Sequence, residues 1–159
     1  MTAQWKCEKC GRSFGKEGQA HSCKIYPLEN HFDNKPYGKT LFLELIQRLK
    51  TIGNVRVDSV ECCIHLVSNF TFSGVWILKD KIRVSFQLDR KVKSSRFQHY
   101  LQMSPHRHLY HVEIREKKDI DTELVGWLKE SYHLKKTEHW LVSIPKSHYK
   151  LMIGVFLQF

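Results

Sequence analysis

Between residues 37 and 52 apolar side chains return every three or four positions, as Leu41, Phe42, Leu45, Ile46, Leu49 and Ile52, with Lys39, Glu44, Gln47, Arg48 and Lys50 between them. A period near 3.6 gathers those side chains into one stripe, so the spacing predicts an amphipathic helix of about fifteen residues. Pro36 suits its first turn, and Gly53-Asn54 supplies a left-handed stop. From residue 55 to 89 the period shortens to two, in Val55/Val57, Ile64/Leu66, Phe70/Phe72 and Val75/Ile77. It is clearest in Lys81-Ile82-Arg83-Val84-Ser85-Phe86-Gln87-Leu88, where apolar and polar residues alternate without a break. Such alternation predicts antiparallel strands with one face on a core and the other toward solvent. Lys79-Asp80 is expected to turn a hairpin between 74–78 and 81–88, leaving Lys81 and Arg83 outward together.

Residues 90–103 read as a short helix or helical turn, with Phe97, Tyr100 and Leu101 inward and Arg90, Lys91, Lys93 and Arg96 outward, stopped by Ser104-Pro105. Alternation returns over 109–115 through Tyr110, Val112 and Ile114, which predicts another strand. Asp119 or Asp121 can cap a closing helix whose buried stripe is Leu124, Val125, Leu128 and Tyr132. A helix, a sheet meander and a closing helix make the fold class α+β, with an antiparallel sheet packed on two or three helices over residues 37–135. In the tail, 136–159, the apolar residues around Trp140 and from Leu151 to Phe159 predict a docked strand or extension. They are too few for a membrane span, which takes roughly 20 residues.

The first 30 residues lack a sustained period and carry Cys7-x2-Cys10-x10-His21-x-Cys23. Thiolates and an imidazole in that number suit tetrahedral zinc, and four protein ligands close its coordination sphere. Residues 1–30 are therefore expected to form a zinc finger or ribbon, with structural Zn2+ on Cys7, Cys10, His21 and Cys23. Gly11 stands where the turn between thiolates favours a positive φ, and Trp5 and Phe14 add apolar cover. Residues 24–36 read as a connector. The remaining cysteines, Cys62 and Cys63, are adjacent, which suits a buried core and a reducing compartment better than a structural disulfide.

Charge narrows the functional readings. The chain carries a net +10, and eleven basic but only four acidic side chains fall within residues 79–118. That segment is either a solvated face or a phosphate-tracking surface formed by Lys79, Lys81, Arg83, Arg90, Lys91, Lys93, Arg96 and Arg107, with Tyr100 or His99 available for stacking. No recognition helix accompanies it, so DNA or RNA contact would be non-sequence-specific. A protein-interaction or small-ligand-binding domain, with the finger docking a partner, is the alternative reading. An enzyme is a further one, with His111 as general base near Tyr100 or Asp89, although no nucleophile elbow, phosphate loop or paired-carboxylate motif is present. In His106-x-His108-x2-His111, a strand would put the first two on one face and the third on the other, which favours surface or hydrogen-bonded histidines over a shared metal. The N-terminus lacks a secretory pattern, so the expected compartment is the cytoplasm, without membrane contact.

Cys7-x2-Cys10-Gly11-Arg12-x-Phe14, His21-x-Cys23, Val55-Arg56-Val57, Phe72-Ser73-Gly74-Val75, Ser104-Pro105, His111-Val112 and the run from Asp121 to Leu128 occur in that order. Together they resemble a bacterial family called domain of unknown function 5655, over residues 5–132. The resemblance implies an α+β domain preceded by a zinc finger and brings no activity with it; residues 137–159 lie outside it.

Overall fold

The computed structural model describes residues 5–134, apart from Gly15, Lys16, Ala20, Ser22 and Ile25. The strand or extension expected in the tail lies outside the described residues. Near the N-terminus β1 (Trp5–Lys6) and β2 (Ser13–Phe14) pair antiparallel. A 3-10 turn over Leu28–Phe32 leads to α1 (Pro36–Leu49), which starts at the proline that fits its first turn. Then come β3 (Arg56–Val60), β4 (Cys63–Val67), β5 (Thr71–Ile77), β6 (Ile82–Leu88), β7 (Phe97–Ser104), β8 (Arg107–Ile114) and α2 (Thr122–His133). The six longer strands form one antiparallel sheet in the order β3-β4-β5-β6-β8-β7, so the α+β class is the observed one.

The expected hairpin is present, with Ile77 opposite Ile82 and Leu78 N–H bonded to Lys81 O at 3.0 Å. Asp121 caps α2 by accepting from the Leu124 N–H at 2.9 Å. Asp119 instead closes the preceding 3-10 turn, accepting from the Arg115 and Glu116 N–H groups. Residues 90–103 depart from expectation. Residues 97–104 are strand β7, not helix, and pair with β8 from Phe97↔Val112 to Ser104↔Arg107 around the turn at Pro105-His106. The spacing of Phe97, Tyr100 and Leu101 mimics a helical face, but β8 offers an edge whose N–H and C=O groups pair with the segment's inner backbone groups. Phe97 and Tyr100 do face inward, whereas Leu101 is 39% exposed.

Both helices cover the same face of the sheet. Leu41, Phe42, Leu45 and Leu49 of α1, with Leu124, Trp127 and Leu128 of α2, join Ile64, Leu66, Val75, Ile77, Ile82, Val84, Phe86, Tyr110 and Val112 in one core. Gly38 lets α1 approach β5 closely, since a Cβ there would stand 2.5 Å from Leu78 O and 2.7 Å from the Ile77 Cγ2. Ser131, fully buried on α2, ties the layers together: its Oγ donates to Phe72 O at 2.7 Å and accepts from the Gln87 N–H at 3.1 Å. The other face of the sheet carries neither helix.

Candidate metal centre and helix-free sheet face

Cys7 and Cys10 bracket a tight turn in which Gly11 N–H donates to Cys7 O at 2.8 Å and Cys7 N–H to Arg12 O at 2.9 Å. Gly11 takes φ +70°, the left-handed conformation that the turn needs. His21 and Cys23 approach from the following segment, and the four ligand atoms lie within 4.8 Å of one another. Cys7 Sγ is 3.7 Å from Cys23 Sγ, and His21 Nε2 is 3.4 Å from both Cys10 Sγ and Cys23 Sγ. A tetrahedral ion with bonds of about 2.3 Å to sulfur and about 2.0 Å to nitrogen sets two sulfurs about 3.8 Å apart and sulfur about 3.5 Å from nitrogen. The donor set thus fits a single metal ion.

The surroundings support that use. His21 Nδ1–H donates to Gln19 O at 2.6 Å, which fixes the tautomer with the Nε2 lone pair turned toward the thiols. The same carbonyl raises the His21 pKa. The Arg12 N–H beside Cys10 brings that thiol's pKa down to about 6, and the Cys10 N–H lowers that of Cys7. Cys23 moves the other way, raised by desolvation and by the neighbouring thiols. A bound cation reverses that last effect, because a coordinated thiol gives up its proton. Phe14 lies 4.1 Å from the His21 ring and Trp5 5.8 Å from Phe14, so the aromatic residues shield the ligands as expected.

On the face without helices, strand register lines up Asp58, His65, Gly74, Ser85, His111 and His99, each opposite the next in the neighbouring strand. Trp76, Arg83 and Glu113 form a parallel row one pleat away. The Trp76 indole lies over Gly74, where a Cβ would come within 3.0 Å of it and 3.0 Å of Ser85 Oγ. It stacks on His111 at 5.6 Å and 24°, and His99 meets His111 edge-on at 5.2 Å. His111 is 3% exposed; burial, then the charges of His99 and Arg83, push its pKa down to about 4, so it is neutral at pH 7.

Beside this stack three cations share one carboxylate. Glu113 accepts from Lys81 at 2.9 Å, Arg83 at 3.3 Å and Arg115 at 2.8 Å. Partial burial would raise the Glu113 pKa, but the Lys81 and Arg83 hydrogen bonds hold it low. At the opposite edge Arg56, paired with Asp58, donates to Ser13 O at 3.2 Å, which brings the metal module against β3.

Residues 28–135, more than half of the chain, match the family model described as domain of unknown function 5655. The chain belongs to this family. The match begins at the 3-10 turn, so in this member of domain of unknown function 5655 the four candidate metal ligands precede the family domain, and the match starts later than the resemblance that began at Trp5. No curated protein and no solved structure matches the chain. Among the described residues no helix is long and apolar enough to cross a membrane.

The eight basic residues singled out in the sequence have separate surroundings. Lys81 and Arg83 share Glu113, whereas Arg90 forms a two-pronged pair with Glu130 at 3.0 Å. Arg96 binds Asp121, Glu123 and Asp119 O and lies over Trp127, so it braces the start of α2. Arg107 is buried, which lowers its pKa against the pull of Asp89. Lys79, Lys91 and Lys93 are exposed and make no ion pair among the described residues; Lys91 Nζ stands 5.2 Å from the Tyr100 ring centre. Tyr100 points to the helical side, its hydroxyl 2.9 Å from His108 Nδ1, and so does not join His111. His106 sits exposed in the turn before β8. Cys63 is buried as expected, but Cys62 is exposed in the hairpin turn, its Sγ 3.3 Å from that of Cys63. Trp76, His65 and Ser85 escaped sequence reasoning. Each left the same signal there, an outward position between two inward apolar residues: His65 between Ile64 and Leu66, Trp76 between Val75 and Ile77, Ser85 between Val84 and Phe86.

Proposed function

We propose that this protein is a zinc-stapled binding module that contacts nucleic acid through charge rather than base sequence. The carrying observation is positive charge in excess of its partners: Lys81, Arg83 and Arg115 share Glu113, with Asp80 a second partner 3.4 Å from Arg115, and Lys79, Lys91 and Lys93 project without an ion pair among the described residues. Phosphates that displace counterions from such a surface bind with an affinity that falls as salt rises. In this reading zinc is structural. Cys7, Cys10, His21 and Cys23 supply thiolate and imidazole ligands in the number that closes a tetrahedral site, and the metal's contribution is to fold a segment with little apolar core of its own.

A salt titration of binding to duplex DNA, single-stranded DNA and RNA, on protein of measured zinc content, tests the reading. Neutralising Lys79, Lys91 and Lys93 together should weaken binding to every sequence and flatten the salt dependence. Arg96 is unsuitable for that purpose because it braces α2. Absence of binding at low salt, or affinity indifferent to salt, would overturn the proposal.

A further inference from the structure

Cys62 and Cys63 stand at the tip of the β3–β4 hairpin, outside the candidate metal cluster. The last pair of the β3–β4 ladder is Val60↔Cys63, so Cys62 lies with Glu61 in the turn that joins the strands. That position gives the two thiols different surroundings: Cys62 is exposed, whereas Cys63 is 3% exposed. Their Sγ atoms are nevertheless 3.3 Å apart, about 1.3 Å more than the length of a disulfide bond. Closing the gap is a local event, because the peptide between the thiols sits at the end of the ladder and disturbs at most the Val60↔Cys63 pairing.

A disulfide at this place is easily undone. Adjacent Cα atoms are about 3.8 Å apart across a trans peptide, against roughly 4.4–6.8 Å in relaxed disulfides. A bond forced into the shorter span is strained, and strained or exposed disulfides are the ones that small thiols reduce. The pair therefore suits a site that is oxidised and restored, and not a staple. Burial, then the hydrogen bond and charge of Cys62, raise the Cys63 pKa. Reaction with an oxidant accordingly begins at Cys62, the thiol that solvent reaches, and Cys63 follows.

We infer that Cys62 and Cys63 form a peroxide-responsive site that cycles between a dithiol and a disulfide. Hydrogen peroxide transfers one oxygen to the Cys62 sulfur, giving a sulfenic acid and one water. Cys63 Sγ then bonds to Cys62 Sγ, and its proton leaves with the sulfenic hydroxyl as a second water. The pair has given two electrons to the peroxide. Two molecules of a small thiol such as glutathione return them and become a disulfide themselves. This chemistry is independent of the nucleic-acid reading above.

Peptide mapping of the full chain tests it. The tryptic peptide of residues 57–79 holds both thiols and no other cysteine. After hydrogen peroxide and then N-ethylmaleimide, that peptide should be lighter by two hydrogens and carry no label, and excess glutathione should restore two labels. In Cys63→Ala, Cys62 should stop at the sulfenic acid and be captured by dimedone. Cys62→Ala should leave Cys63 reduced, and this exposed substitution carries the test if Cys63→Ala loses the native circular dichroism spectrum. Two labels on the wild-type peptide, under conditions that oxidise free glutathione, would overturn the inference. A bond from Cys62 to Cys7, Cys10, Cys23 or a second chain would do the same. Oxidation of Cys63 at the wild-type rate in Cys62→Ala would refute the order of attack, and a disulfide that persists in excess glutathione would refute the cycle.

Discussion

Two buried serines should respond oppositely to the same substitution. Ser131 is 0% exposed, and its Oγ serves both Phe72 O and the Gln87 N–H. Ser131→Ala removes the hydroxyl and leaves a carbonyl and an N–H at the α2–sheet interface without that partner. At about 1–3 kcal/mol for each stranded group, reduced because the Gln87 contact is only partly buried, the loss comes to about 2–4 kcal/mol. Ser73 is 2% exposed, yet its Oγ has no hydrogen-bond partner among the described residues. Ser73→Ala removes a hydroxyl that already bears its desolvation cost, so stability should stay level or rise by up to about 1 kcal/mol. Urea unfolding followed by circular dichroism gives both values on one scale, provided the m-value is unchanged between variants. Equal losses in the two variants, or a larger one at Ser73, would refute the hydrogen-bond assignment on which the difference rests.

Acid should destabilise the domain through His111: its folded pKa near 4 lies below the ordinary 6.5, so the unfolded chain takes up the proton first. That contribution is whole above pH 6.5 and is lost as pH falls toward 4, by at most about 3 kcal/mol, and His111→Gln should flatten the loss in pH-dependent chemical denaturation. Chelating a metal held by Cys7, Cys10, His21 and Cys23 should unfold that module yet move the main calorimetric transition by less than about 2 kcal/mol, because contacts to the sheet such as the part-buried Arg56 to Ser13 O bond and the exposed Lys24–Glu61 pair are polar ones that contribute little each. Loss of the main transition on chelation would contradict that independence. Gly38→Ala, despite its better helix propensity, should lower stability by about 1–2 kcal/mol because the new methyl meets Leu78 O and Ile77. A raised melting temperature would contradict the close packing of α1 on β5.

What was legible in the sequence is what local pattern determines. Helix α1, the β5–β6 hairpin and the Asp121-capped α2 each carry their period and their stop within one segment. The candidate metal ligands are legible for the same reason, since Cys7 to Cys23 form one short run. Strand β7 was misread because it is an edge strand with polar residues on both faces, so its three apolar side chains matched a helical stripe by spacing alone. Its state was decided by β8, a partner that follows it in the chain. The row from Asp58 to His99 had no local trace, because register across five strand pairings depends on turn lengths and on the bulges in β5 and β7. Charge shows the same limit. Arg90 and Arg96 appear free in sequence, yet Glu130 and Asp121 meet them from α2.

The position of β8 between β6 and β7 governs how the chain can assemble during synthesis. Helix α1 and the strands through β6 are ordered as neighbouring pairs, so their contacts can close as soon as residue 88 has emerged. Until β8 follows, the β6 edge stands open with alternating Ile82, Val84, Phe86 and Leu88, a ready template for another nascent chain. Strand β7 cannot cap that edge itself, because its place is on the far side of β8. The β7–β8 hairpin must arrive as a unit, which makes its two-residue turn at Pro105-His106 the point where a slow or faulty closure would lead to aggregation rather than to the native sheet.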